Sequence, residues 1–366
     1  MKKIRVALKD RSYNIHIGAG IMRQCGHIAA RLAVGTDAYV ITNRRIQAKY
    51  GRTLCASLKA AGISSTVRLI PDTEKSKSFA TAAAVLNDLA RFDRNRHVFI
   101  VALGGGVVGD LAGFIAAVYK RGIPYIQVPT TLLAQIDSSI GGKTAIDLPA
   151  GKNLVGAFHQ PRAVITDVSA LASLGKRQLC QGMAEAIKYG LIRDKRLFLY
   201  IEKNIAGLLA KDRRALSFVI ARCSSIKADI VSRDEREEKS LRTILNFGHT
   251  IGHAIESASG YNRYGHGEAV ALGMLVASDI SRQMKMITAH DQERIIRLIK
   301  AAGLPVRLKG VPFRKIISMH YRDKKFKAGR NRFVLLDGIG RARVVENISL
   351  FIIRSTLAKS SGPAIC

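Results

Sequence analysis

Three histidines and one glutamate carry the strongest chemical signal in this chain. The run LNFGHTIGHAIE, ending at Glu256, sets His249 and His253 four residues apart in a helix-compatible segment, and His266 follows in YGHGEAVALGM. Residues i and i+4 share a helical face, so two imidazoles can converge on one point. Such a pair is common on solvated helices; its neighbours sharpen the reading. Upstream, GMAEAIKYG offers Glu185 and Lys188 at i and i+3 of a mostly apolar helix, where acids and amines are seldom buried without partners. Two imidazole nitrogens and a carboxylate, with an open position for water or substrate, make a catalytic zinc-type shell. Glu185, His249 and His266 are the candidate ligands, and His253 is left for other work. Spacing alone does not say which two of the three histidines bind, and a structural polar cluster is the competing reading.

A second signal is glycine. Gly104, Gly106 and Gly109 match G-x-G-x-x-G between an expected strand and an expected helix, where backbone amides and a helix N-terminus can hold a pyrophosphate. The loop follows a late strand, and no acid lies about 20 positions on to bind a ribose, so a dinucleotide site is expected in a different α/β arrangement. Further on, QVPTTLLAQIDSSIGGKTAIDLPAGKNLVGAF carries Asp137, Lys143, Lys152 and Asn153 in a loop-rich, otherwise apolar stretch. Any one of these lysines reads as a solvated turn residue. Together with the acid and histidine cluster they predict a site for a polyhydroxylated anion.

These groups need a scaffold. The first half alternates short β-branched runs, at 38–42, 65–70, 98–103 and 125–128, with helical patterns, which predicts an α/β domain with a parallel sheet. After about residue 170 the texture changes to long amphipathic helices, expected over 176–192, 213–232, 240–259 and 267–283. A small hairpin is expected from 332–336 and 342–345. The domains are therefore placed at 1–170 (α/β) and 171–354 (mostly α-helical), with a loosely ordered tail at 355–366.

Composition bounds the rest. At 366 residues two domains are the default. The five cysteines are scattered without CxxC spacing, which suits a reducing cytoplasm better than a disulfide framework. The N-terminus has no apolar stretch of signal-peptide length. Residues 97–118 are nearly uncharged and long enough to span a bilayer, but three consecutive glycines and Asp110 favour a buried strand, turn and helix. The formal net charge of +32 would attract polyanions, nucleic acid among them. A solvated basic surface is the preferred explanation, because no zinc-finger, aromatic RNA-binding or recognition-helix pattern accompanies the charge.

The segments GGGVVGDLAGF, QVPTTLLAQIDSSIGGKTAIDLPAGKNLVGAFHQP, MAEAIKYG and LRTILNFGHTIGHAIE resemble the 3-dehydroquinate synthase family over roughly residues 2 to 346. The resemblance implies a Rossmann-like, dehydroquinate synthase-like α/β domain followed by a helical metal-binding domain, in a cytoplasmic homodimer of the shikimate pathway. It implies NAD and a divalent metal, zinc or cobalt, as cofactors. It puts Glu185, His249 and His266 at the metal positions. Asp72, Glu74, Lys77, Gly105, Gly106, Gly109, Asp110, Thr130, Thr131, Lys143 and Lys152 fall on NAD-contacting positions, with Asn43 an addition. Asp137, Lys143, Asn153, Lys188, Lys227, Arg242, Asn246, His253 and Lys324 fall on the substrate-binding and catalytic set, and Arg121 on a residue that reaches the neighbouring subunit.

The implied reaction is carbon–oxygen lysis of 3-deoxy-D-arabino-heptulosonate 7-phosphate: transient oxidation by NAD, phosphate elimination, re-reduction, ring opening and aldol closure. Lys143, Lys324 and His253 with Asn153 and Asn246 would grip the phosphate, and Lys227 and Arg242 the carboxylate. Two features depart from the pattern. DEREEKSLR carries an apparent extra residue before Arg242, expected in a loop, and DKKFK offers Lys325 as well as Lys324. Three competing readings are a related sugar-phosphate cyclase such as an aminodehydroquinate synthase, a metal-dependent polyol dehydrogenase, and a basic nucleic-acid-binding protein on an enzyme fold.

Overall fold

The computed structural model describes residues 1–94, 96–260, 263–312, 315–316, 318 and 331–360. The chain divides into two compact units, Met1–Leu174 with Leu216–Arg236, and Gly175–Ala215 with Glu237–Cys366.

The first unit is built on strands β1 (Lys2–Val6), β2 (Tyr13–Gly18), β3 (Asp37–Asn43), β4 (Ser64–Ile70), β5 (Val98–Gly104), β6 (Tyr125–Pro129) and β9 (Ala163–Asp167). They form one sheet in the order β1-β2-β9-β6-β5-β3-β4, antiparallel only between β1 and β2. The four strands expected from β-branched runs are β3 to β6. Strand β3 shows why its sequence is an unbroken apolar run: Ala38 and Val40 join one core, Tyr39 and Ile41 the other, so both sheet faces are covered. Helices α1 (Cys25–Arg31) and α3 (Arg52–Ala60) supply the first core; α4 (Phe79–Phe92) and α5 (Gly106–Val118) supply the second. Between α1 and α3, the short turn α2 (Arg44–Ile46) begins at Asn43, whose side chain caps it.

One expectation is corrected here: the stretch read as loop-rich contains an antiparallel hairpin, β7 (Lys143–Leu148) with β8 (Gly151–Phe158). The bilayer-length segment 97–118 is β5 followed by α5, the buried strand, turn and helix expected of it. Among the described residues no helix is long and apolar enough to cross a membrane. Most of helix α8 (Arg213–Arg233) belongs to this unit, although it lies well beyond the change of sequence texture near residue 170.

The second unit is helical: α6 (Lys176–Arg193), α7 (Lys195–Leu209), α9 (His249–Ala258), α10 (His266–Gln283) and α11 (Ala289–Ala301), with the expected hairpin of β10 (Arg332–Leu336) and β11 (Ala342–Glu346). Helix α10 buries residues around its circumference, which makes it the central element. The single helix expected over 240–259 is broken. Leu241–Asn246 is a 3-10 turn, and Gly248 in the left-handed region (φ +79°) starts α9 afresh. The tail expected to be loose from 355 is helical to 360: α12 (Leu350–Ser360) buries Ile353, Thr356 and Leu357 at i, i+3 and i+4.

Candidate active site

The metal candidates meet in the second unit. Glu185 sits mid-helix in α6, and His249 and His266 are the first residues of α9 and α10. Their ligand atoms all lie within 4.8 Å of one another. The Nε2 atoms of His249 and His266 stand 3.5 and 3.6 Å from Glu185 Oε1. Two ligands about 2.1 Å from one ion at a tetrahedral angle are about 3.4 Å apart, so this spacing fits a shared cation. Glu185 is completely buried, yet neither of its oxygens accepts a well-aligned hydrogen bond. A carboxylate in that condition fits a cation ligand.

Main-chain contact fixes the spacing of the two histidines. A side chain at Gly248 would come within 2.8 Å of the Val270 carbonyl oxygen, and one at Gly273 would collide with the Gly248 carbonyl oxygen. Helices α9 and α10 therefore touch backbone to backbone beside the ligands.

Charge is concentrated here. Lys188, also buried, forms an ion pair with Glu185 one turn away. Burial raises the Glu185 pKa, but Lys188, His249 and His266 outweigh it and hold the group well below the usual carboxylate range. Burial and the Lys188 charge press His249 towards the neutral form a metal requires. For His266, burial opposes the charge, yet the facing Glu185 and Glu256 carboxylates win and raise its pKa to about 10. His253, exposed, places its ring 5.3 Å from that of His249. Asn246 ends the 3-10 turn before α9. Arg242 is buried with its Nε 3.5 Å from Glu237, and the apparent extra residue lies in the loop before it, where Glu237 and Ser240 both have positive φ.

The first unit gathers the dinucleotide candidates at the C-terminal ends of its parallel strands. Strand β3 connects outward to β4 on one side and β5 to β6 on the other, so the gap between β3 and β5 is a topological switch point, the place where open α/β sheets bind ligands. Asn43 closes β3 and donates to Asp72 Oδ1 at 2.8 Å. Gly105 precedes α5 without a side-chain cap, leaving the first-turn amides of a 13-residue helix to an anion. The Cβ of any other residue at Gly109 would lie 2.9 Å from Gln127 Oε1, so glycine lets the helix pack closely on β6. The amide of Thr130 donates to Gly104 O at 2.9 Å, and its buried hydroxyl has no partner among the described residues. Thr131 follows, its hydroxyl accepting from Ala134 N at 3.2 Å. An orphaned hydroxyl beside uncapped amides fits a phosphorylated cofactor.

Lys77 organises the same end of the sheet. Its ammonium donates to Asp110 Oδ2 at 2.8 Å and to Asn153, with Asp147 at 3.9 Å and Glu74 at 4.0 Å. Burial lowers its pKa, but these carboxylates outweigh that and raise it. Lys152 lies 3.5 Å from Glu74. Lys227, on α8, donates to the Asp137 backbone oxygen at 2.8 Å and forms an ion pair with its carboxylate.

The structure thus brings together Glu185, Lys188, His249, His253 and His266 in one unit, and Asn43, Asp72, Lys77, Asp110 and Asn153 in the other. Lys143 opens β7 with an exposed side chain. Arg121 is apart from the candidates of its own unit: it sits on a left-handed turn (φ 63°) past the C-terminus of α5, about 20 Å along the helix from the glycine turn. Lys324 and Lys325 lie outside the described residues. The sequence reading missed Asp147, which accepts from Asn153 N at 2.8 Å, and Glu256, which contacts His266. Glu256 stands at i+3 from His253 and i+7 from His249, a spacing that could have flagged it.

Two family models match the chain. The family model described as 3-dehydroquinate synthase N-terminal matches residues 67–181, and the one described as 3-dehydroquinate synthase C-terminal matches 182–326. A 3-dehydroquinate synthase of Acidithiobacillus ferrooxidans is 46% identical over 357 residues, covering 98% of each chain. Among solved structures, the 2-epi-5-epi-valiolone synthase of Streptomyces hygroscopicus, with NAD+ and Zn2+ bound, superposes with a TM-score of 0.87 at 27% identity, covering 96% of this chain and 98% of that one. A 2-deoxy-scyllo-inosose synthase complexed with carbaglucose-6-phosphate, NAD+ and Co2+ gives 0.88 at 26% identity, covering 98% and 100%. With near-half identity along almost its full length and both family models laid end to end across the site residues, the chain belongs to the 3-dehydroquinate synthase family.

Proposed function

We propose that the chain converts 3-deoxy-D-arabino-heptulosonate 7-phosphate to 3-dehydroquinate and phosphate, acting as a carbon–oxygen lyase of the shikimate pathway. The observation that carries this reading is Glu185, completely buried among His249, His266 and Lys188 with no well-aligned hydrogen bond of its own, in a chain 46% identical to a synthase of that name. Glu185, His249 and His266 would hold the divalent metal. Asn43, Asp72, Glu74, Lys77, the Gly105–Asp110 turn, Thr130, Thr131, Lys143 and Lys152 would hold NAD.

When bound, NAD supplies reversible hydride removal and the metal supplies Lewis-acid polarisation of a substrate oxygen. The chain's own groups do the positioning. Lys227 and Arg242 hold the carboxylate by charge-assisted bonds. Lys143, His253, Asn153, Asn246 and Lys324 hold the phosphate so that one of its own oxygens can take the adjacent proton as the carbon–oxygen bond breaks. Asp137 keeps Lys227 oriented, and Lys188 keeps Glu185 ionised. Orientation and fixed charge then supply most of the rate, each well-placed donor contributing about 3 kcal/mol in comparable sites.

The protein acts in the cytoplasm as a homodimer in this reading. Cysteines that stay free among the described residues suit the compartment, and Arg121, remote from the other candidates of its own unit, suits a role towards a second copy.

The test follows phosphate and dehydroquinate together, using metal-loaded protein, the heptulosonate phosphate and catalytic NAD, while absorbance reports NADH. Equal phosphate and dehydroquinate without accumulating NADH is the expected result. Accumulating NADH would point to a polyol dehydrogenase, and absence of product to a cyclase for another sugar phosphate.

A further inference from the structure

The two candidate histidine ligands are held by different acceptors. Each turns Nε2 towards Glu185 Oε1. For His249, the Nδ1 side faces the Phe247 carbonyl oxygen at 3.2 Å, a main-chain acceptor two residues away. For His266, Nδ1 faces the Glu256 carboxylate at 3.4 Å. Glu256 lies on α9, seven residues after His249 and so on the same face, and its side chain is only 8% exposed. A buried acid in an apolar helix needs a reason to be there. Nothing in the reaction outlined above uses it.

We propose that Glu256 is the positioning residue of the metal centre, accepting the Nδ1 proton of His266 so that Nε2 is left bare and aimed at the ion. The inference rests on the metal reading given above. A histidine that ligates through one nitrogen must carry its remaining proton on the other, and whatever accepts that proton sets tautomer and ring orientation. A carboxylate does so more strongly than an amide carbonyl, because the bond is charge-assisted and makes the imidazole a better donor to the metal. It also places a second negative charge beside the cation. Glu256 lies across the His266 ring from Glu185, so it acts through His266. His253 and His266 also surround Glu256 closely enough for the three to be ligand-sized neighbours. The exposed position of His253 leaves Glu256 as the group that fixes His266 from the buried side.

The test measures Co2+ affinity of the purified full-length protein by competition with a chromophoric chelator, together with the visible Co2+ spectrum, for wild type, Glu256→Leu and Glu256→Gln. Glu256→Leu removes the acceptor and should weaken binding roughly 10- to 100-fold and change the spectrum. Glu256→Gln keeps an acceptor oxygen without the charge and should recover part of that loss. If Glu256→Leu does not fold, the near-isosteric Gln variant still has to bind more weakly than wild type. Wild-type affinity and spectrum in a folded variant would overturn the inference while leaving the metal reading intact. Failure of the wild-type protein to bind Co2+ would overturn the metal reading, and this inference with it.

Discussion

The charged clusters around Lys77 and Glu185 are both buried, but they are finished in different ways. Lys77 has its acids and amide already in place: Asp110 and Asn153 accept directly, and Asp147 and Glu74 stand just beyond. Glu185 has the opposite arrangement, with cations or potential cations on every side and no well-aligned bond to any of them. One cluster satisfies itself and presents backbone amides to a ligand. The other has the composition of a shell for an ion. The difference separates two kinds of binding wall: one already paired and suited to an exchangeable organic molecule, the other with a charge balance suited to a metal.

The largest expected effect breaks the unfinished cluster. Glu185→Gln should abolish measurable metal binding and lower kcat/KM by about three orders of magnitude, close to 4 kcal/mol of transition-state stabilisation. It should also strip the variant of any stabilisation by added Zn2+. In the wild type that stabilisation is about 2.7 kcal/mol at one hundred times the dissociation constant, read from thermal melts with and without metal. A Glu185→Gln protein that still melts higher with Zn2+ would show that the cluster does not depend on this carboxylate.

Next in size is the finished cluster. Lys77→Met leaves Asp110 facing Glu74 and Asp147 without the cation between them, and breaking a buried pair from one side costs about 3–5 kcal/mol. Urea unfolding should show that loss with or without metal, which sharpens the contrast with Glu185. Equal stability in the two proteins would mean that Lys77 is a bystander.

A smaller effect is proton competition. With its pKa raised to about 10, His266 carries a proton through neutral pH in the metal-free protein. An ion must displace it, so affinity should rise towards tenfold per pH unit from roughly pH 6.5 to 8.5, with one proton released per ion in calorimetry across two buffers. A flat profile would show that His266 is neutral or is not a ligand.

The smallest effect lies at the other end of the sheet. Asp37 is pushed up by burial but drawn down to about 2 by Ser64, Thr36 and Arg96. Because the folded pKa is the lower one, its contribution is complete above the unfolded value near 4 and disappears as pH falls through about 2. Asp37→Asn should cost about 1–2 kcal/mol at pH 7, lose that difference in acid, and leave turnover unchanged. A changed kcat would tie this end of the sheet to the chemistry.

Much of this was legible in the sequence where one physical signal dominated. Strands β3, β5 and β6 are apolar runs because both sheet faces are covered, and Glu185 with Lys188 stands out because charged residues interrupt an apolar helix. Hairpin β7–β8 was hidden because β8 opens on Gly-Lys-Asn and buries none of its residues. The helix break at Gly248 was hidden because glycine inside a helical pattern is tolerated until a neighbouring backbone demands the left-handed conformation. The Lys77 network joins residues 33 to 76 positions apart, and no local pattern announces it.

The contact at Gly248 and Gly273 has a consequence for how this site can change. At Gly248 and Gly273 the two segments come so close that neither position has room for a Cβ beside the facing backbone. The jaws of the metal site are therefore set like a fixed-gap gauge. A single methyl group at either glycine would reset the gap from a position that never touches the ion.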